Sequence, residues 1–205
     1  MEIDMNTAAQ HEMACMQAEG VVQASDEVNP DLAPPPLAIL VYDDSIGADR
    51  LLARSAGALA RAGYRLAGVV QSNIERAGRS RCDMRLTDLS SGEEIAISHD
   101  LGAEAKGCRL DHAALVQASV GVERALAAEA DLLIINKFGK QEAIGGGLRK
   151  VIAEALMAYV PVVLGVSKLN LDACLAFAGA PVARLDPNQD AIVTWCREAI
   201  RRRSK

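Results

Sequence analysis

The chain contains no Gly-Lys-Ser/Thr triplet, no CxxC pair, no apolar run of membrane-spanning length and no excess of basic residues, and each absence removes a class of function. Five cysteines, Cys15, Cys82, Cys108, Cys174 and Cys196, are widely dispersed and odd in number. Neither a disulfide framework nor a zinc or other resident metal site is indicated, and they read as ordinary reduced thiols. A bilayer-crossing helix needs roughly 20 apolar residues in succession, and acidic residues stand near the N-terminus where a secretory signal would be basic. The expectation is a cytoplasmic protein with no membrane span. A net charge of −5 argues against general nucleic-acid binding, which relies on a basic surface to release phosphate counterions. The one basic cluster, Arg201-Arg-Arg-Ser-Lys205, reads as a solvated helix end complementing the helix dipole.

What is present is 205 residues, half of them hydrophobic, enough for one sizeable core. Residues 1–36, which include Ala33-Pro-Pro-Pro36, show neither a helical stripe nor strand alternation and read as a disordered extension. The folded domain is expected over 37–205. Residues 37–42 form an apolar strand, 43–49 a loop, and Leu51, Leu52, Ser55, Leu59 and Ala62 recur at helical spacing up to a closing Gly63. With a second strand over 64–71 this makes a right-handed βαβ unit. Residues 84–89 and 94–98 alternate around Ser90-Ser-Gly-Glu93, the pattern of an inserted β-hairpin. A loop over 99–111, carrying His99, Lys106, Cys108 and Arg109, is long enough for a binding lid.

Asp111 is a good N-cap for a helix reaching about residue 130. The apolar strand 131–135 follows, then helix 148–159, strand 161–166, helix 169–178, an edge strand over 182–185 and a closing helix over 190–203. Strands alternating with helices predict an α/β fold, three-layered, with a mainly parallel, doubly wound sheet.

The richest stretch follows the 131–135 run, where an apolar strand delivers clustered polar groups to the carboxyl edge of the sheet, the edge at which open α/β folds bind ligands. Asn136, Lys137, Lys140, Gly145, Gly146, Gly147 and Arg149 combine positive charge, close backbone approach and a helix N-terminus, which suits an oxyanion: phosphate, the phosphates of a nucleotide, or molybdate. Arg79, Arg81 and Arg109 would close over it if the hairpin approach and the long loop fold back. Glu142 is a weak general-base candidate, a role less common beside lysines than that of ion-pair partner. His99 is a modest acid or anion ligand at a strand end. The loop after the first strand, with Ser45 and Gly47, stands where a phosphate-binding loop would sit. It has one glycine, and Asp43, Asp44 and Asp49 would repel polyphosphate unless magnesium intervened. A capping loop in which Asp49 or Ser45 satisfies the helix amides is favoured over Asp43 or Asp44 as metal-holding catalytic groups.

The order Tyr64-Arg-Leu-Ala-Gly-Val-Val-Gln71, a hairpin at Asp88-Leu-Ser-Ser-Gly92, a helix, then Asp131-Leu-Leu-Ile-Ile135 resembles the small P-loop nucleoside-triphosphatase family of the cancer-related enzyme. Asn136-Lys-Phe-Gly-Lys-Gln-Glu-Ala143 with Gly147-Leu-Arg149 more closely resembles a bacterial family of unknown function, whose members are commonly encoded beside molybdate-uptake or molybdenum-cofactor genes. The resemblance spans residues 37–180. It implies a P-loop-like scaffold, a link to molybdenum handling and a protein partner there. Active triphosphatases of the first family carry a Gly-rich Lys-Ser/Thr loop and an Asp-Glu pair where this chain has Asn136-Lys137, so a degenerate site is expected. Three readings stay open: a non-hydrolytic or weakly hydrolytic anion- or nucleotide-binding protein, a triphosphatase using magnesium with an atypical loop, and a partner-binding regulator.

Overall fold

The computed structural model describes residues 36–74, 82–99 and 110–203. The expected extension over 1–36 lies, but for Pro36, outside them, as do Arg79, Arg81, Lys106, Cys108 and Arg109.

Seven strands form one sheet: β1 (Leu37–Tyr42), β2 (Leu66–Ile74), β3 (Asp83–Asp88), β4 (Glu94–Ala96), β5 (Leu132–Phe138), β6 (Val162–Ser167) and β7 (Ala183–Arg184), in the spatial order β4-β3-β2-β5-β6-β1-β7. The pairs β2/β5, β5/β6, β6/β1 and β1/β7 are parallel, while β3 and β4 add antiparallel to one edge as the expected hairpin. The central strands are continuous apolar runs because both their faces are covered. On one face lie α1 (Ser45–Arg61) and α6 (Gln189–Arg203), whose Leu52, Leu59, Ile192 and Cys196 pack with Leu40, Leu132, Ile134 and Val163. On the other lie α2 (His112–Ala127), α4 (Arg149–Met157) and α5 (Leu171–Ala178), which bury Val122, Ile152 and Cys174 against Ile39, Leu133, Ile135 and Leu164. This is the three-layer, mainly parallel α/β arrangement that the strand and helix pattern called for, and it is consistent with the P-loop-NTPase-like scaffold that the resemblance implies.

Local chemistry sets the ends of the elements. Asp111 caps α2 by accepting from the Ala113 and Ala114 amides, and Gly63, with φ of 89°, lets the chain turn back after α1. Gly68 has φ of 114°, and a Cβ there would run into the Ile134 carbonyl on the neighbouring strand, so a glycine is needed for β2 and β5 to pair.

Several boundaries differ from expectation, two of them at the site. β2 continues to Ile74 because its polar end, Gln71-Ser-Asn73, still pairs with β3. β5 continues to Phe138, whose ring is fully buried, with a register shift against β6 between Asn136 and Phe138 and a cis Asn136–Lys137 peptide. A one-turn helix, α3 (Lys140–Ala143), stands where sequence indicated only loop, too short for periodicity to register. No helix among the described residues is long and apolar enough to cross a membrane.

Candidate functional site

β1 and β6 are adjacent and parallel, yet the chain leaves β1 for a helix on one face and leaves β6 for a helix on the other. Such a reversal opens a crevice at the carboxyl ends of the two strands. The residues gathered there come from the loop after β1, the first turns of α1, and the ends of β2, β5 and β6.

The N-terminus of α1 is already occupied by an anion. Asp44 is its N-cap: one carboxylate oxygen accepts from the Ile46 amide and the other from the Gly47 amide, each at 3.0 Å. Gly47 matters sterically, since a Cβ there would lie 2.8 Å from the Asp44 carboxylate. The cap is therefore Asp44, a correction to the expected Asp49 or Ser45. Beside it Asp43 pairs with Lys168, which follows β6, at 2.6 Å, both side chains being largely exposed.

Asp49 does something else. It is only 4% exposed, and its carboxylate accepts from the Asn136 side-chain amide at 2.7 Å and from the Asn73 amide at 2.9 Å. The Asn73 oxygen in turn accepts from Gln71 at 2.9 Å. Burial pushes the Asp49 carboxyl above its ordinary range, opposed by the Asn136 hydrogen bond, the nearby Lys137 ammonium and the Asn73 hydrogen bond, while Asp44 reinforces the rise. Tyr42, at the end of β1, is pushed up to about 12 by burial and by the Asp49 charge. Its hydroxyl and the Asn136 side-chain oxygen are buried without a hydrogen-bond partner among the described residues. Asn136 pairs in register with Gly165 on β6, and a Cβ on Gly165 would come within 2.7 Å of that oxygen. A glycine in the strand thus makes room for the amide.

The other half of the expected cluster is organised differently. Glu142 is 4% exposed and turned inward: Oε2 accepts from the Gly139 amide at 2.8 Å and Oε1 from the Leu148 amide at 2.9 Å. It closes the 139–148 turn, which corrects the reading of it as an ion-pair partner of lysines. Gly145 and Gly147 supply positive φ to that turn, and Gly146 receives the Gln141 carbonyl on its amide. Arg149 donates to the Glu142 carbonyl at 3.0 Å, and its guanidinium lies 4.5 Å from the centre of the Phe177 ring. Lys140 is exposed and Lys137 half-buried. Of the remaining expected residues, Ser45 is half-buried at the start of α1, and His99 stands 3.7 Å from Asp111, the α2 cap. Among the described residues no group of three or more His, Cys, Asp or Glu side chains is placed to hold a metal ion.

The polar groups of the loop after β1 are engaged with one another. The carboxylate oxygens of Asp44 are committed to amides and Asp43 to Lys168, and no lysine follows the glycine. On the outer side of α1 the chain forms a cleft of about 410 Å³, lined by Tyr42, Asp43, Gly47, Leu51, Arg54 and Pro187 among others.

Sequence reading did not assign Asp49 to this network and passed over Asn73, Tyr42 and Lys168. One signal was available: Asp49 falls on the same helical stripe as Leu52, Ala56 and Leu59, so a carboxylate lies on the buried face of α1.

The family model described as "Protein of unknown function (DUF2478)" matches residues 37–195. A protein of Bradyrhizobium diazoefficiens (strain JCM 10833 / BCRC 13528 / IAM 13628 / NBRC 14792 / USDA 110) named "Molybdenum import ATP-binding protein ModC 2" is 39% identical over 172 residues, 84% of this chain but 19% of its own length. The chain therefore spans about a fifth of that relative. No solved structure matches.

Proposed function

This chain belongs to the family described as "Protein of unknown function (DUF2478)", and on that footing we propose that it is a non-hydrolytic binding domain for a small anion or a nucleotide, serving molybdate handling. The observation that carries the reading is the commitment of α1's first amides to the Asp44 carboxylate. A phosphate chain cannot be gripped there in the manner that leads to hydrolysis, because the donors that would stabilise its charge are already spent on an internal anion. Asn136 and Lys137 at the end of β5 support the same reading, since an amide and an ammonium neither orient magnesium nor take a proton from water as paired carboxylates do. An anion entering the crevice meets Lys137, with Lys140 exposed one turn further on. A nucleotide would lay its base in the cleft beside Arg54 and Pro187.

The link to molybdate comes from the relative, which joins a region like this one to the rest of a chain named for molybdenum import and ATP binding. Segments fused in one polypeptide commonly act on one process, so a protein partner of that kind is part of the proposal.

The test is thermal unfolding with phosphate, molybdate, ATP and GTP, each with and without magnesium. The expected result is a rise in Tm with at least one of these anions, independent of magnesium, that weakens in Lys137→Ala and Lys140→Ala without a loss of intrinsic stability. No shift with any of the four overturns the reading. So does magnesium-dependent phosphate release that disappears in Asp44→Ala, which would make the domain a triphosphatase.

A further inference from the structure

We propose that the outward face of α2 is the contact surface of a weak homodimer, in which two copies of this chain pack their α2 helices antiparallel about a two-fold axis near residue 118. The helix is apolar on both sides. Leu115, Ala118 and Val122 are buried against the sheet, yet the opposite stripe, Ala113, Val116, Gln117, Val120, Arg124 and Ala127, carries a single charged residue and is exposed, Val116 at 65% and Val120 at 47%. The helices across the sheet differ. Their outward faces carry charge, with Arg50 and Arg54 on α1 and Arg197 and Arg201 on α6, whereas a helix that is hydrophobic all round is one that packs on both faces.

The surface beside the stripe has the shape and the charge for a second copy. A groove of about 190 Å³ runs along one side, where Val116 and Val120 meet Gly147. Another, of about 440 Å³, lies on the other side, where Ala113 and Gln117 meet the edge strand β4. The stripe is thus a ridge between two grooves, and a ridge on one helix packs into the groove beside another. Charge sets the direction. The β4 groove, at the amino end of α2, holds Glu93, Glu94 and Asp111, and the cations there among the described residues are Arg85, 2.8 Å from Glu94, and the imidazoles of His99, 3.7 Å from Asp111, and His112. With neutral imidazoles this end is acidic. At the carboxyl end Arg124 makes no ion pair among the described residues, while Glu123 beside it is paired with Lys150 at 3.1 Å. Parallel helices would set the acidic ends against each other. Antiparallel pairing about residue 118 instead places Val116 opposite Val120 of the second copy, and Arg124, about 9 Å from the axis at 1.5 Å per residue, beside its acidic end. Each contact recurs by symmetry, as an isologous interface requires.

The interface is one helix with its flanking grooves, smaller than a standard one, so association depends on concentration. It is independent of the anion-binding reading. Sedimentation velocity of the full chain, at about pH 8 to keep imidazole charge small and from about 1 to about 500 μM, should show monomer converting to dimer. Two paired variants, Val116→Glu with Val120→Glu and Val116→Lys with Val120→Lys, should fold, because both positions are exposed, and each should sediment as a monomer. Mixed in equal amounts, they should form a heterodimer, since every Glu then faces a Lys. Arg124→Glu, which turns two attractions per dimer into repulsions, should raise the dissociation constant about tenfold. A wild type that stays monomeric at every concentration overturns the proposal, as does a dimer that persists in the Glu pair alone. A mixture that remains monomeric, or an unchanged dissociation constant in Arg124→Glu, overturns the antiparallel pairing.

Discussion

Replacing Glu142 by Ala separates a structural carboxylate from a catalytic one. In the wild type this side chain accepts two backbone hydrogen bonds, from Gly139 at 2.8 Å and from Leu148 at 2.9 Å, and is 4% exposed. Hydrogen bonds to a charged acceptor contribute about 1.5–3 kcal/mol each, and truncation leaves both amides in a place water reaches poorly. The two losses together come to about 3–5 kcal/mol, a little under their sum because the turn can relax. For a domain of this size that corresponds to a fall in Tm of about 6–20 °C. Glu142→Gln retains one acceptor oxygen and should lose roughly half as much. Differential scanning calorimetry of the three proteins, with anion affinity measured in parallel, checks the reasoning. If Glu142→Ala kept its Tm within about 1 °C while losing ligand affinity or activity, the inward carboxylate would not be holding the turn, and its assignment as a closing group would be wrong.

Two other outcomes follow from the site. Asp44→Ala removes the α1 cap and should cost about 1 kcal/mol, while releasing the Ile46 and Gly47 amides. Calorimetric titration should then detect inorganic phosphate binding stronger than in the wild type, and no gain would mean that Asp44 does not block the helix terminus. At the opposite edge of the sheet, burial raises the Asp131 carboxyl, but the Arg65 backbone amide at 2.8 Å and its guanidinium at 3.1 Å outweigh this and hold the pKa below the ordinary value. A depressed carboxyl stabilises the fold above its unfolded pKa of ~3.9 and loses that contribution as pH falls through the folded value. Urea midpoints of wild type and Asp131→Asn should therefore differ at pH 7 and converge well below pH 3.9. A constant difference across that range would refute the linkage.

Much of the scaffold was legible without coordinates. The apolar run at 37–42, the helical stripe closed by Gly63, the hairpin around Ser90-Ser-Gly-Glu93 and the Asp111 cap are local patterns, and each is found where its chemistry placed it. The site was legible only as a neighbourhood. Asn136 and Lys137 do stand at the carboxyl edge, but Arg149 is engaged with Phe177 and the Glu142 carbonyl, and Glu142 faces inward. Residue type and spacing indicate that a charged group follows a strand, not whether a one-turn helix rotates it into a backbone turn.

By itself the sequence determined the alternation of strands and helices, the two-sided burial of the central strands and the helix ends, because hydrophobic periodicity and capping act over a few residues. Only the tertiary structure decided that Asp49 would meet Asn136, 87 positions away, and that Gly165 would leave space for the Asn136 amide. Those contacts depend on strand order and register, which arise when the sheet packs as a whole and which no short window of residues encodes.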